Sequence, residues 1–214
     1  MNLEKMSDFF TARVETYDSH MLSNGGKEGY EKIAQLIPQN VDTLLDLGCG
    51  TGLELDEIFK INPLISVTGI DLTKAMLDKL KEKHPNKHLK LINASYLDYD
   101  FGQSLFDVAI SFQTMHHFSH EEKTKLYRNI CNALTHQGQY IECDYMVIDQ
   151  FEEDKLFDEN RRIRLEQGIS EGEFYHFDTP CTVDNQIKML LTAGFNKVEK
   201  VWRKENTTIL IASK

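Results

Sequence analysis

Asp46 stands near the end of an apolar run, Thr43-Leu44-Leu45-Asp46-Leu47, which leads directly into Gly48-Cys49-Gly50-Thr51-Gly52. Glycines are needed where a backbone takes positive φ or lets a ligand come close. The first amides of a following helix lack internal partners and can hold a polar ligand. A carboxylate at the end of a buried strand is costly unless something pairs with it. It would repel a phosphate, whereas an ammonium or a set of hydroxyls would pair with it. The stretch therefore points to a nucleoside-like ligand carrying a positive group rather than to a pyrophosphate. A nicotinamide loop would need G-x-G-x-x-G, and here Leu53 takes the place of the third glycine. The plain alternative is a tight strand-to-helix turn without a ligand.

Further chemistry-bearing residues follow at regular intervals. Asp71 can accept from both hydroxyls of a ribose, or cap a helix that begins near Thr73, which can cap it as well. His116-His117-Phe118-Ser119-His120 leaves several readings open. His116 or His117 is a general base, a donor that orients an acceptor, a metal ligand together with His120, or part of a loop kept for packing. No cysteine or carboxylate nearby in sequence completes a metal set, so no metal is expected. Asp144-Tyr145 and the aromatic run Phe174-Tyr175-His176-Phe177-Asp178 are candidates for acceptor recognition, or a loop packed on itself. Cys49 reads as a small filler of the turn, and the charges between Glu152 and Arg164 as a solvated helix face.

Alternating strands and helices place these groups. Strands are expected at 43–47, 65–70, 89–92, 106–111 and 139–145, with helices at 51–60, after Thr73, and at 121–135, the last closed by Gly138. Phe9, Phe10, Val14 and Tyr17 recur at helical spacing and predict one amphipathic helix, broken at Asn24-Gly25-Gly26. A second helix carries Tyr30, Ile33, Ala34 and Ile37 and ends by Pro38. A charged helix over 150–167, with Phe151, Leu156, Phe157, Ile163 and Leu165 as its apolar contacts, interrupts the rhythm. A helix over 183–193 and a hairpin, 195–202 with 207–211, complete it. This predicts an α/β, Rossmann-like, doubly wound and mostly parallel sheet with a helical cap. The chain divides into a cap (1–40), a cofactor core (41–145), a substrate-side insert (146–180) and a C-terminal helix with hairpin (181–214). Ligands bind such sheets outside the carboxyl ends of the strands. Asp46–Gly48, Asp71, Asn93 and Ser111–His117 all fall there.

The composition limits the partners. At 214 residues, 41% hydrophobic and 10% aromatic, the chain suits one α/β domain with a substantial core. A net charge of −10 argues against non-specific binding to nucleic acid or anionic membrane. Cys49, Cys131, Cys143 and Cys181 form no CxxC pair and read as free thiols in a reducing compartment. The polar start reads as no signal peptide, and no apolar run approaches membrane-spanning length, so a cytoplasmic protein is expected. The oligomeric state, monomer or homodimer, is left open.

Four segments together resemble the class I S-adenosylmethionine-dependent methyltransferase family. They are Asp46–Gly52, Gly69-Ile70-Asp71-Leu72, Phe106-Asp107-Val108-Ala109-Ile110 and Leu134–Gln139, in family order. The resemblance implies seven strands, the last antiparallel, and S-adenosylmethionine as cofactor. It implies that backbone at Gly48 and Gly50 holds the methionine part near Asp46, that Asp71 takes the ribose, and that Leu72 packs on the adenine. Asn93-Ala94 replaces the family's Asp-apolar pair at the adenine amino group, and main chain near Gln113 lines the methionine tail. Arg13 and Tyr17 resemble a lid whose tyrosine reaches the cofactor carboxylate or closes the substrate pocket. The expected activity is methyl transfer to a small molecule. Alternatives are an RNA or protein methyltransferase, a non-catalytic S-adenosylmethionine-binding regulator and, more distantly, a nicotinamide-dependent oxidoreductase.

Overall fold

The computed structural model describes residues 2–23, 25–170 and 172–214. Asn24, first residue of the expected break in the cap, lies outside them. The strands are β1 (Thr43–Leu47), β2 (Ser66–Asp71), β3 (Leu89–Asn93), β4 (Phe106–Phe112), β5 (Leu134–Tyr145), β6 (Lys197–Lys204) and β7 (Thr207–Ser213). They form a seven-stranded sheet in the order β3-β2-β1-β4-β5-β7-β6. Only β7 runs against its neighbours β5 and β6. The chain steps outward from β1 to β3, then returns to start β4 on the other side of β1. That reversal opens a crevice at the carboxyl ends of β1 and β4, where doubly wound sheets bind ligands.

The helices are α1 (Met6–Thr11), α2 (Val14–Ser23), α3 (Gly26–Leu36), α4 (Leu53–Ile61), α5 (Lys74–Lys83), α6 (His120–Ala133), α7 (Gln150–Gln167) and α8 (Val183–Ala193). Strand side chains alternate between the two faces. Leu45, Leu47 and Ala109 pack with Leu126 and Ile130 of α6 and Leu190 of α8. Leu44, Val67 and Val108 pack with Ile33 of α3, Ile58 of α4 and Leu80 of α5. The same alternation puts Asp46 on the Leu44 side, beneath α4.

Three local expectations are corrected. The cap's amphipathic stretch forms two helices with a turn at Ala12–Arg13. There the Arg13 guanidinium lies 3.7 Å over the Phe9 ring and donates to the Phe9 carbonyl at 2.8 Å. Helix α6 stops at Ala133, and Leu134 opens β5 instead of continuing the helix. Leu134 pairs with Phe106 and Gln139 with Val108, so the run between them bulges, and Gly138 serves the bulge. A Cβ at Gly138 would lie 2.9 Å from that of Leu134. In α7, Ile163 is buried, but Phe151 and Leu165 are 79% and 76% exposed rather than packed.

Asp107, in the Phe106–Ile110 segment, is a structural clamp. Its Oδ2 accepts from the amides of Asp42 (3.0 Å) and Thr43 (3.1 Å) and from the Thr43 hydroxyl (2.9 Å). It fixes the start of β1 against β4. Asp107→Ala leaves two backbone amides without this partner and should cost about 2–3 kcal/mol. At about 2–4 °C per kcal/mol for a chain of this size, the melting temperature should fall by roughly 5–10 °C with S-adenosylmethionine affinity kept. An unchanged melting curve would refute the clamp.

Candidate active site

The glycine loop is held mainly by its own neighbours. Gly48 and Cys49 donate to the Ile70 carbonyl at 2.8 and 3.3 Å, and Gly52 donates to the Cys49 carbonyl at 2.8 Å. Gly48 has φ 69°, and a Cβ there would meet the Thr114 hydroxyl at 2.6 Å. Gly52 has φ 75°, and its Cβ would run into Leu80. Both positions require glycine, one for the loop's approach to β4 and one for packing on α5.

Asp71 links the loop to the next helix. Its Oδ2 accepts from Gly50 N at 2.9 Å and its Oδ1 from Thr73 N at 2.7 Å. Thr73 is the residue before α5, but its side chain makes no capping bond. Burial pushes the Asp71 carboxyl above its ordinary value, against the pull of the two amides. Asp71 also faces a cleft whose floor includes Gly48, Gly50, Leu72 and Gln113. Tyr96 and Thr114, whose hydroxyls are 2.7 Å apart, form the wall toward β4. Gln113 has φ 52°, a left-handed conformation rare outside glycine, and donates its amide to the Cys143 carbonyl at 2.8 Å. Such strain concentrates at functional sites.

Asp46 and Glu54 meet beneath the loop, 1% and 6% exposed, and each leaves one carboxyl oxygen without a hydrogen-bond partner. Burial, reinforced by Glu54, pushes the Asp46 carboxyl well above the carboxylate range. Burial pushes Glu54 up to about 7, although its bond to Asp46 pulls the other way. Burial thus favours the protonated form of this pair.

Tyr17 of α2 and Phe10 of α1 cover the cleft. Burial, then the negative charge of Glu54, raises the Tyr17 hydroxyl above its ordinary value. The lid is pinned to the core through Asp18, which accepts from the Thr51 hydroxyl at 2.5 Å and from Lys83 at 3.3 Å. Lys83 also reaches Asp56 at 2.8 Å. Arg13 is spent within the cap, with Glu4 at 3.3 Å, and faces a second cavity rather than the cleft. Asn93 and Ala94 brace the end of β2 and do not line the cleft. Asn93 donates to the carbonyls of Asp71 and Leu72 at 3.1 and 2.9 Å, and the Ala94 amide to that of Asp71 at 3.2 Å.

The second cavity shares Phe10, Tyr17, Gln113 and His117 with the cleft and adds Arg13, His116, His176 and Asp178. His116 Nδ1 stands 2.5 Å from Asp144 Oδ1. Asp144 in turn accepts from the amides of Met115 (2.6 Å) and Tyr145 (2.7 Å). Burial alone would lower His116, but Asp144 outweighs it and holds the imidazole near 9. Burial, then the charge on His116, brings His117 down to about 3. His120 points elsewhere, 2.7 Å from Glu153. Glu54, Tyr96 and Thr114 are site residues that the sequence reading did not single out. Glu54 left one signal, an acid in the first turn after the glycines; Tyr96 and Thr114 left none.

The profile of a methyltransferase domain family matches residues 44–138, from β1 into the β5 bulge. A carboxy-S-adenosyl-L-methionine synthase of Nautilia profundicola is 27% identical over 183 residues, 81% of this chain and 77% of its own. The phosphoethanolamine N-methyltransferase of Plasmodium falciparum is 24% identical over 193 residues, 88% of this chain and 71% of its own. A Nostoc punctiforme structure described as a candidate O-methyltransferase superposes with a TM-score of 0.75 at 20% identity. It is covered over 100% of this chain, which spans 63% of that longer one. The matched segment contains the glycine loop, Asp71 and the strand leading to His116 and His117; the family profile and the relatives indicate an S-adenosylmethionine-dependent methyltransferase, with S-adenosylmethionine as its cofactor.

Proposed function

We propose that this methyltransferase acts on a small molecule held in the second cavity, with Tyr17, His116 and His117 at the junction with the cofactor cleft. The observation that carries this reading is that the cap and the insert both wall the cavity beside the cofactor cleft. The cap and the insert are joined by backbone: Met6 N donates to the Phe174 carbonyl and His176 N to that of Glu4, both at 2.9 Å. The acceptor thus lies between two interlocked segments, beside Phe9, Phe10 and His176. Arg13 on its wall is already paired with Glu4. The net charge of −10 weighs against RNA.

When bound, S-adenosylmethionine supplies a methyl group on a positively charged sulfur, already activated for in-line displacement. The protein's part is to position and to exclude water. In this reading the Asp46–Glu54 pair takes the ammonium and Asp71 the ribose, backed by backbone at Gly48 and Gly50 and by Leu72. Gln113 lines the methionine end. Tyr17 closes the cleft and His117 touches both chambers. His116, held by Asp144, orients its neighbour.

His117→Ala should lower kcat by roughly 10²- to 10⁴-fold, the usual range for a group that handles the acceptor's proton, with S-adenosylmethionine affinity within about threefold. Unchanged kcat would remove His117 from the reaction. The acceptor class is tested by transfer of labelled methyl into fractionated cell extract. Label in the low-molecular-weight fraction supports the proposal, and label found only in RNA or protein refutes it. The name of the Nautilia relative implies a different outcome, in which the nucleoside gains a carboxyl group. Mass analysis of the nucleoside after the same incubation separates the two.

A further inference from the structure

We infer that His116, His117 and Asp178 form a binding site for a first-row divalent transition ion of the Zn²⁺ class, set in the wall of the acceptor cavity. Three imidazole nitrogens converge on one carboxylate oxygen. Asp178 Oδ1 lies 3.5 Å from His116 Nε2, 3.4 Å from His117 Nδ1 and 4.0 Å from His176 Nε2. These separations are too long for good hydrogen bonds, which lie at 2.7–3.2 Å. The first two match a metal polyhedron instead: bonds of 2.0–2.1 Å arranged tetrahedrally put neighbouring ligand atoms about 3.3–3.4 Å apart. The ligand atoms of His116, His117 and Asp178 all lie within 4.8 Å of one another.

Two further observations point to an ion. Asp178 Oδ1 is a buried oxygen without a hydrogen-bond partner, on a residue whose side chain is otherwise half-exposed. It is aimed at the two histidines and away from solvent. Behind His116, Asp144 takes the other ring nitrogen at 2.5 Å. A carboxylate in that place fixes the tautomer and orientation of a ligating histidine, leaving Nε2 for the metal. The sequence-based expectation of no metal rested on the lack of a carboxylate beside His116–His120; the fold brings Asp178 there from the insert.

Two imidazoles and one carboxylate leave at least one coordination position open. Phe9, Tyr17 and Gln113 line the cavity on that side. A ligand entering there would need an oxygen donor, such as a hydroxyl or a carboxylate. This use of the ion rests on the small-molecule reading; the site itself does not.

The test uses the full chain, stripped with a chelator and titrated with Co²⁺ and then Zn²⁺. We expect one ion per chain, visible Co²⁺ absorption bands displaced by Zn²⁺, and loss of both in Asp178→Asn and His116→Ala. Asp144→Asn, which removes only the orienting carboxylate, should weaken Zn²⁺ by about 10- to 100-fold. Cys181→Ser disrupts the other candidate group, His120, Glu153 and Cys181, and should change nothing. Absence of saturable binding would overturn the inference. So would binding that survives Asp178→Asn or is lost in Cys181→Ser. S-adenosylmethionine titrated into the stripped protein keeps the two readings apart. Cofactor binding without ion binding sinks the metal site alone, and ion binding without cofactor binding sinks the cofactor assignments.

Discussion

Asp71→Ala is expected to weaken S-adenosylmethionine binding by roughly 10²- to 10³-fold, about 3–4 kcal/mol. Two losses add up. A carboxylate at the end of β2 can accept both ribose hydroxyls, and hydrogen bonds to a charged group are worth about 1.5–3 kcal/mol each. The same side chain also holds Gly50 N and Thr73 N, so without it the loop and the start of α5 loosen. Asp71→Asn keeps a carbonyl for one of those amides but loses the charge and the second acceptor. It should fall between wild type and alanine. Calorimetry measures both variants, and a thermal melt separates weaker binding from unfolding. Affinity of the alanine variant within about threefold of wild type would place the nucleoside elsewhere.

Asp71 and the glycine loop were legible in the sequence because their signals are local. A strand end, positive-φ glycines and one acid per strand end are read within a few residues. What the sequence hid depends on pairings made far along the chain. Asp46 meets Glu54 only because strand alternation turns it under α4. Asp178 reaches His116 only when the insert folds back and pairs with the cap through Met6 and His176. The resemblance puts Arg13 in a lid over the cofactor, yet in the fold Glu4 and the Phe9 carbonyl take its guanidinium. Asn93 suits an adenine, yet its amide is turned onto the carbonyls of Asp71 and Leu72. Helical patterning carried the α6 reading past Ala133, where pairing of Leu134 with Phe106 overrides it. The positive φ of Gln113 had no signal at all, since the residue type does not call for it.

The cap shows how the cleft is closed over its ligand. Three polar anchors of α2 come from the loop or from α5: the Thr51 hydroxyl and Lys83 on Asp18, and Lys79 on the Val14 carbonyl at 2.8 Å. Thr51 belongs to the glycine loop and α5 begins just beyond Asp71. The lid is therefore tied to the glycine loop and to α5, the two elements beside the proposed nucleoside site.

Asp46→Asn should make the protein more stable and bind its cofactor less well. The groups facing the Asp46–Glu54 pair are Tyr17 on α2, Tyr30 on α3, Cys49 and Asp56 around α4, Asp71 on β2 and Lys83 on α5. Lys83 is the one cation among them, so burial and like charge win. Both carboxyls then titrate above their unfolded values, Glu54 near 7. The folded state holds protons that the unfolded state has released. Their stabilisation is present at low pH and is lost as pH rises through about 7. For Glu54 the change is on the order of 3 kcal/mol. A bound ammonium reverses the sign, because it favours the ionised pair. The thermal shift given by S-adenosylmethionine should therefore grow from pH 6 to pH 8 and level off above. Asparagine at 46 can donate to Glu54 and removes the repulsion. Without ligand, its melting temperature at pH 8 should rise by several degrees, at about 2–4 °C per kcal/mol. Affinity should fall by roughly 30- to 100-fold, and its growth with pH should flatten. A variant that melts below wild type at pH 8, or binds the cofactor equally well at both pH values, would show that the pair is not the cation socket.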